Sequence, residues 1–538
     1  MTEKSMMKVL SEIGRKNKPE FVRVVNKLKS IGNRESFQRG LTIGLEDLKM
    51  DQKAKSRILG EADKEAKKGG NTDKAIVNAY MKASKKLDNL IATDPKLKAN
   101  GFRIMMDSGA KGNGSQIRQI LAAPMLVQDI SGRTVPVPIK KAYAQGLDMG
   151  DYWASMSGAR KGMIDRALQT AEPGALAKSI LNSTVSEVVG KPDCGTLKGV
   201  DTLVTDPEIA DRFLARNLAG VGRRNELVTH QMLRKAKRKR LKMLPVRSPM
   251  TCRLSQGVCQ KCYGIDEKGR APEIGTNVGV IAGQAISERA TQLTMRTFHT
   301  GSAAGSGSGG VTAGFQRVKE LMEMPKKLRN QATLARVAGR ITAVRNSPIG
   351  GWDVFIGTDK HHVPKSRALL VKRGDTVKQV QSISDGAVSP QELLQLRGMR
   401  HTQDYLVDQV VKEYGGQGIN IKRKLVETAI RPLTNRVVVT DTGGHPTLVT
   451  GDNTTSGMVE DWNEKQLNPN KQIKFDPMLR GINTRPLVGQ DWLSRLNFQK
   501  LQDTIQEGAG QGWKSDIASP FAPLASYAYG PTVGYEKF

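Results

Sequence analysis

One stretch of the chain, TQLTMRTFHTG at residues 291–301, gathers the side chains best suited to act on a charged substrate. Met295, Arg296 and His299 lie at the end of a proline-free run whose apolar spacing predicts a helix. An imidazole exchanges protons near neutral pH, and a guanidinium binds phosphate oxygens. The run continues into GSAAGSGSGG, a segment typical of a loop that opens and closes over a site. A solvated surface helix followed by a linker is the alternative that these residues alone leave open.

The charge of the chain indicates a polyanionic partner. Its 538 residues carry 84 Lys and Arg against 52 Asp and Glu, a formal net charge of +32. Such an excess favours nucleic acid, and because aromatic residues are only 5%, phosphate contacts are expected rather than extensive base stacking. No apolar run reaches the length of a membrane span, and the first residues, MTEKSMMKVL, lack the apolar core of a signal peptide. The length predicts several domains.

Helical periodicity is clearest in two regions. At residues 51–91, small and apolar residues recur every four positions on both sides of GGNT, a pattern that predicts an antiparallel helical hairpin. This hairpin is either a structural protrusion or a binding surface. A longer helix is predicted at 155–189, where Pro173 and Gly174 should weaken or kink it.

A glycine-rich loop lies between these two regions. Glycines surround Lys111, and Arg118 follows one turn into a predicted helix. A helix N-terminus with cations nearby suits phosphate, although the loop fits no nucleotide-binding fingerprint.

Four segments, in one order along the chain, carry a family resemblance. They are DSGAKGNGSQIRQ, SGARKGMIDRALQTAEPG, CRLSQGVCQKCYG and VGVIAGQAISERATQLTMRTFHTG. Each resembles a segment of the largest subunit of multisubunit RNA polymerase, the bacterial β′ subunit, where they form the F-loop, the bridge helix, a cysteine zinc site and the trigger loop. Later segments resemble the clamp and switch portions of β′, and the hairpin falls where β′ has its secondary-channel rim helices. The resemblance covers nearly the whole chain and is strongest at residues 101–325.

The resemblance implies a multidomain mixed α+β fold that is part of a double-psi-barrel-type RNA polymerase. The expected parts in chain order are an N-terminal region with the rim hairpin (1–100), an F-loop region (101–150), the bridge helix (151–190), a zinc-binding region with a basic segment (191–270), the trigger helices and trigger loop (271–330), a β-rich clamp-associated region (331–420) and a C-terminal clamp and switch region (421–538).

The only cysteines of the chain are expected to bind zinc. They are Cys194, Cys252, Cys259 and Cys262, and the last two form a CxxC knuckle. Four thiolates complete a tetrahedral Zn²⁺ site and leave no position for water, so the role is structural. Between them LRKAKRKRLK, residues 233–242, holds seven Lys or Arg. This basic segment is either a solvated face or a contact with a nucleic-acid backbone.

The resemblance also implies roles for the trigger segment. Gln292 and Met295 would meet the ribose and base of the incoming nucleotide, where a thioether suits a flat apolar surface. Arg296 and His299 would approach the triphosphate and stabilise the charge that builds as pyrophosphate leaves. Whether His299 donates a proton or only positions the phosphate stays open.

Further nucleotide-facing and template-facing positions follow from the same resemblance. Lys111 and Arg118 match F-loop positions near the phosphates, with Lys standing where bacteria often carry Arg, which puts a bidentate contact in doubt. The bridge-helix positions that lie beneath the template base match small or short side chains, which leave room for a base pair: Ala167, Thr170, Ala171 and Gly174.

The expected partners follow from a catalytic motif that the sequence lacks. In β′ the aspartates that hold catalytic Mg²⁺ lie on an NADFDGD loop, and no such string occurs here. We therefore expect the C-terminal half of a split β′, active only with an N-terminal β′-like half that carries the DFDGD motif and with one or more β-like subunits. DNA template, RNA product, nucleoside triphosphates and a promoter-specificity subunit complete the expected partners. The alternative is a non-catalytic, zinc-containing nucleic-acid-binding scaffold derived from a polymerase subunit.

Three features favour a large bacteriophage as the source. Only a short glycine-rich segment separates Thr300 from Phe315, where plastid-type split subunits carry a long insertion. Two departures from the cellular pattern agree: Arg289 and Ala290 stand where cellular sequences mostly have Pro-Gly, and Glu172 and Pro173 lie inside the predicted bridge helix. The expected location is the cytoplasm of an infected bacterium, and packaging in the virion stays open.

Overall fold

The computed structural model describes most of the chain, which divides into two compact units. The first unit comprises Met1–Thr170 and Thr294–Thr312, and the second comprises Ala171–Leu293 and Ala313–Phe538. The described residues are 6, 9–10, 12–14, 18–127, 134–168, 171–266, 269–299, 311–326, 328, 330–365, 367–416, 419–486, 496 and 501–512.

Helices dominate the first unit. They are α1 (Lys18–Arg39), α2 (Gln52–Lys68), α3 (Asp73–Thr93), α4 (Gly101–Asp107), α5 (Gly114–Leu121) and α6 (Met149–Leu168). The predicted hairpin is confirmed as α2 and α3, which begin at the side-chain caps of Asp51 and Thr72. Their facing residues form one core in which Tyr80 and Leu87 are buried, and α5 packs against the same core.

The second unit mixes helices and short sheets. Its helices are α7 (Ala171–Thr184), α8 (His230–Arg238), α9 (Gln260–Tyr263), α10 (Val278–His299), α11 (Val311–Glu323), α12 (Pro390–Gly416), α13 (Arg423–Thr434), α14 (Ser456–Lys465) and α15 (Leu501–Gln511). The end of α10 from Thr294 and the first two residues of α11 belong to the first unit. A residue with non-helical backbone, Gly398 (φ +77°), interrupts α12.

Eleven strands are present among the described residues. They are β1 (Val189–Lys191), β2 (Val200–Leu203), β3 (Met243–Val246), β4 (Val258–Cys259), β5 (Gly339–Asn346), β6 (Trp352–Ile356), β7 (Asp359–Val363), β8 (Thr376–Val377), β9 (Arg436–Asp441), β10 (Asn453–Thr455) and β11 (Lys474–Met478). β1 and β4 pair in parallel, and β2 and β3 are antiparallel. Antiparallel sheets of order β7-β6-β5-β8 and β10-β9-β11 complete the set. The mixed α+β class is confirmed.

The centre of the second unit is α13. Every residue from Lys424 to Thr434 is buried, including Glu427 and Arg431, whose ionic partners lie far away in sequence. Glu427 accepts two hydrogen bonds from Arg212, at 2.6 and 3.1 Å, and Arg431 donates to Glu187 at 2.7 Å. Because an unpaired buried charge is costly, these pairs require the segments that supply them to meet at α13.

The predicted bridge helix corresponds to two described helices, α6 and α7. Residues 169–170 between them lie outside the described residues. Pro173 lies buried in α7, close to these two residues. The expected weakening of the helix at Pro173 and Gly174 stays a prediction.

The base of α10 packs closely on α7. Asn277 donates from its side-chain amide to the carbonyl oxygen of Val185 at 2.8 Å. At Gly279 an added Cβ would overlap the carbonyl oxygen of Thr184, and at Gly283 it would lie 2.9 Å from the Leu181 side chain. The glycines thus allow the two helix backbones to approach more closely than any other residue would permit.

One hydrophobic core holds both helices. Ile180 of α7, Ile286 and Ala290 of α10, Val318 of α11 and Val410 of α12 are all buried in it. Tyr414 of α12 adds a hydrogen bond of 2.9 Å from its hydroxyl to the carbonyl oxygen of Ile286. No helix in the described part of the chain has the length and apolar character that crossing a membrane requires.

Gly279→Ala should destabilise the second unit, because its Cβ overlaps backbone rather than a movable side chain. The expected cost is about 1–3 kcal/mol, typical of overpacking. Gly174→Ala is the matched control: it is also a helical glycine, nothing lies within 4 Å of its added Cβ, and alanine should be neutral or stabilising there. Thermal unfolding of both variants measures the difference, and equal midpoints would contradict the close contact.

Candidate functional site

The four cysteines come together in the second unit. Their sulfur atoms all lie within 4.8 Å of one another, and Cys194 and Cys262 are 3.7 Å apart. Cys259 and Cys262 are fully buried, and Cys194 is half-buried. Four sulfurs at about 2.3 Å from a tetrahedral Zn²⁺ ion would be separated by about 3.8 Å, so the cluster has the size that the ion requires.

Local backbone structure sets each cysteine in place. Cys259 ends β4, which is held against β1, and Cys262 follows one turn later in α9. The backbone N–H of Cys262 donates to the Cys259 sulfur at 3.3 Å, and that of Cys259 donates to the Cys252 sulfur at 3.3 Å. Such N–H···S bonds favour the thiolate form that binds a metal. Cys194 lies on the chain that leaves β1, so one strand pair unites distant parts of the sequence.

Arg247 is the side chain that sequence reasoning missed. Its guanidinium is fully buried and donates to the sulfurs of Cys194 and Cys262 at 3.2 and 3.3 Å. Asp193 and Asn225 each accept a further hydrogen bond from it, at 2.7 Å. Burial opposes its charge, but the Cys262 sulfur and Asp193 raise the pKa of Arg247 above the usual value, so it stays protonated.

A second cation faces the cluster from α13. Arg431 is buried, pairs with Glu187 and donates to the carbonyl oxygen of Leu254, two residues beyond Cys252, at 2.6 Å. Zn²⁺ with four thiolates carries a net charge of −2, and buried charge requires compensation. Arg247 therefore fits the electrostatics of an anionic metal centre, and Arg431 adds positive charge near Cys252.

The cysteine cluster is continuous with the base of α10. Val189, Val258 and Val278 pack with the cysteines in one small core, and Val278 is the first residue of α10. The backbone N–H of Gly279 donates to the carbonyl oxygen of Glu187 at 2.9 Å. The cluster thus ties the region after α7 to the region before α10.

The trigger-segment residues lie at the end of α10. Its backbone is described as far as His299, but the side chains of Gln292, Met295, Arg296 and His299 lie outside the described residues. Residues 300–310 lie outside the described residues as well. The nucleotide-facing roles of these four residues stay predictions.

The bridge-helix positions are only partly described. Ala171 and Gly174 are exposed in the first turns of α7, and the space next to Gly174 is open to at least 4 Å. Thr170 and the side chain of Ala167 lie outside the described residues. The exposure of small residues is compatible with room for a base pair, and their template-facing role stays a prediction.

The two F-loop cations differ in their surroundings. Lys111 is exposed in the turn before α5, whose first turn is closed by reciprocal hydrogen bonds between Asn113 and Gln116. Arg118 is buried instead, and its guanidinium donates to Asp88 of α3 at 2.6 Å. In this conformation Arg118 joins α5 to the helical hairpin, so its phosphate-binding role stays a prediction that would require this pair to open.

The chain is similar to RNA polymerase sequences along most of its length. Residues 146–348 match the family described as RNA polymerase Rpb1, domain 5, and residues 50–138 match RNA polymerase Rpb1, domain 4. The DNA-directed RNA polymerase subunit beta′ of Thermus thermophilus is 32% identical over 538 residues, which cover 92% of this chain and 35% of that subunit. The subunit beta′ of Moorella thermoacetica is 32% identical over 526 residues, which cover 90% and 44% of the two chains.

These similarities confirm the resemblance. The chain belongs to the family of RNA polymerase largest subunits, in which it represents a C-terminal β′-like portion. It spans less than half the length of the relatives described above.

Cys259→Ser should abolish metal binding and soluble folding together. A structural zinc site contributes on the order of 10 kcal/mol to the folding of its domain. Metal content by mass spectrometry and the fraction of soluble chain measure the two effects, with the chelator-treated natural sequence as reference. A soluble and well-folded Cys259→Ser variant that lacks metal would contradict a structural site.

Arg247→Met should accelerate metal loss, because residues that support metal ligands typically change affinity by about 10–100-fold. Release of metal to a chromophoric chelator gives the rate. The control is Arg253→Met, next to Cys252, whose guanidinium instead pairs with Glu464 at 2.9 Å. Arg247→Lys, which keeps the charge, should release metal at a rate between those of the Arg247→Met and Arg253→Met variants. Equal release rates for the Arg247 and Arg253 variants would refute the role.

Proposed function

We propose that the chain is the β′-like component of a multisubunit DNA-dependent RNA polymerase and supplies its bridge helix, α6 and α7, and its trigger loop, α10 and α11. The observation that carries the proposal is the anchoring of α7, α10 and α11 in one core next to the cysteine cluster. The family match across residues 146–348 includes all of these elements.

The anchoring allows the C-terminal end of α10, residues 291–299, to act as a movable arm. α10 is held by buried residues as far as Ala290, and the segment with the reactive side chains comes directly afterwards. A fixed base followed by a glycine-rich loop allows the end of a helix to fold over a bound nucleotide and to withdraw from it. Met295 would contact the base, while Arg296 and His299 would stabilise charge on the triphosphate as pyrophosphate leaves.

The metal of the cysteine cluster is proposed to be zinc. Four thiolates without a carboxylate or an open position are the donor set typical of structural Zn²⁺, and it would fix the fold around the base of α10. The catalytic Mg²⁺ is proposed to lie elsewhere in the complex, on a β′-like segment with the DFDGD aspartates. β-like subunits, template DNA, product RNA and nucleoside triphosphates are the further proposed partners.

A bacteriophage source stays a prediction. It is supported by the short segment between Thr300 and Phe315 and by Arg289 and Ala290 in place of Pro-Gly. The split form of the subunit, a promoter-specificity subunit and the expected location in an infected bacterium likewise stay predictions.

His299→Ala should slow nucleotide addition by about one to three decades, as the loss of a proton donor or of charge stabilisation does. The tagged chain is first purified from its source with its partners, and single-nucleotide addition is then timed on an assembled DNA–RNA scaffold. His401→Ala is the control, because His401 is exposed on α12, away from the trigger segment in sequence.

Two results would overturn the proposal. Unchanged elongation by the His299→Ala complex would remove the trigger-loop role. Recovery of the chain without any partner that carries the DFDGD motif, in a form that binds nucleic acid but adds no nucleotides, would favour the scaffold alternative.

A further inference from the structure

The basic segment forms the outer face of a helix that is anchored on one side. α8 begins after Thr229, whose hydroxyl accepts a hydrogen bond from the Met232 backbone N–H at 3.3 Å. Met232 and Ala236 are buried in a core formed with β3 and neighbouring loops. The apolar side of α8 therefore packs against the core of the protein, and the opposite side faces solvent.

The exposed side of α8 and the four residues that follow the helix carry seven cations. All seven lie in the nine residues from 234 to 242 and are exposed: Arg234, Lys235, Lys237, Arg238, Lys239, Arg240 and Lys242. No carboxylate in the described part of the chain forms a salt bridge with any of them. Lys239 donates to the carbonyl oxygen of Ala219 at 2.6 Å, a neutral acceptor that leaves its charge in place. The surface, here called the α8 basic face, is therefore uncompensated within the described structure.

Two features of α8 distinguish among the polyanionic partners that its basic face could bind. A membrane-binding helix inserts its apolar side, but in α8 that side is buried in the core. Single-stranded nucleic acid is held largely by base stacking on aromatic residues, and residues 229–243 contain none. Both features favour a partner that offers only a dense array of phosphates.

The charge density of the face favours duplex DNA. Four of the seven cations lie on α8, and the other three lie in the residues directly after its end. A DNA duplex carries one negative charge per about 1.7 Å of its axis, and a single strand carries about half as many, so a duplex offers this cluster more phosphates within reach. Backbone contacts of this kind are independent of base sequence.

We propose that the α8 basic face binds the phosphate backbone of double-stranded DNA. The face lies outside the segments assigned to nucleotide addition, so it adds a DNA contact that the proposed chemistry does not itself require. Its expected effect is to strengthen the hold on duplex DNA without selecting its sequence.

The test compares a variant that lacks four charges of the α8 basic face with a control variant that lacks four charges on α2. The quadruple variant Arg234→Gln, Lys235→Gln, Lys237→Gln and Arg238→Gln keeps good helix formers and leaves the buried side of α8 intact. The control neutralises four exposed cations of α2 by the same replacement: Lys53, Arg57, Lys64 and Lys68. Affinity of the purified full-length chain for a fluorescent 30-base-pair duplex is measured by anisotropy across a salt series. Unfolding midpoints check that both variants are folded.

The α8 variant should bind duplex at least tenfold more weakly than the control near 0.1 M salt. Its plot of log affinity against log salt should also be shallower by about three to four, since each lost phosphate contact removes about 0.9 from the slope. Equal affinities and slopes for the two variants would overturn the proposal. So would preferential loss of binding to a single strand, to phosphatidylserine vesicles or to poly-glutamate.

A separate measurement keeps this proposal distinct from the polymerase function. Nucleotide addition on a short preassembled scaffold should change less than about twofold in a complex that carries the α8 variant, because the face is not part of the chemistry. If the natural complex adds no nucleotides while the α8 variant still loses duplex affinity, the polymerase proposal fails and the DNA-binding face stands.

Discussion

The second unit depends on the pairing of charges that α13 takes out of water. Burial alone would raise the pKa of Glu427, but Arg212 and Arg423 lower it, so the carboxylate is ionised inside the protein. Arg431 and Glu187 form a second pair one turn further along the same helix. Breaking a buried pair by removing one partner costs about 3–5 kcal/mol. The segment between β2 and α8 that carries Arg212, the chain between α7 and β1, and α13 are consequently held in one arrangement.

The cysteine cluster belongs to the same network of charges. Glu187, which pairs with Arg431, also accepts the backbone N–H of Gly279 through its carbonyl oxygen. Arg431 in turn holds the carbonyl oxygen of Leu254 near Cys252. A metal bound to the cysteines would thus share its surroundings with the first turn of α10. The base of α10 and the cysteine cluster are physically linked, because Glu187 binds Gly279 through its backbone carbonyl oxygen and Arg431 through its carboxylate.

The sequence allowed much of this arrangement to be predicted, but not its charge pairing. Spacing alone was sufficient for the α2–α3 hairpin, since its buried residues recur every four positions, and for the CxxC pair of Cys259 and Cys262. Arg247 carries no local signal, because one arginine among 84 cations becomes informative only when its contacts are known. Arg118 illustrates the same limit: its pairing with Asp88, thirty residues away, depends on how two helices pack.

The glycine contact between α7 and α10 sets the stiffness of this region. Attraction between packed atoms decays within an ångström, and repulsion rises still more steeply when they approach. Where backbone meets backbone, no side chain can rotate to absorb a displacement. A displacement of the C-terminal part of α7 should therefore be passed on to the base of α10, and the reverse. At this contact the two helices act as a single mechanical element.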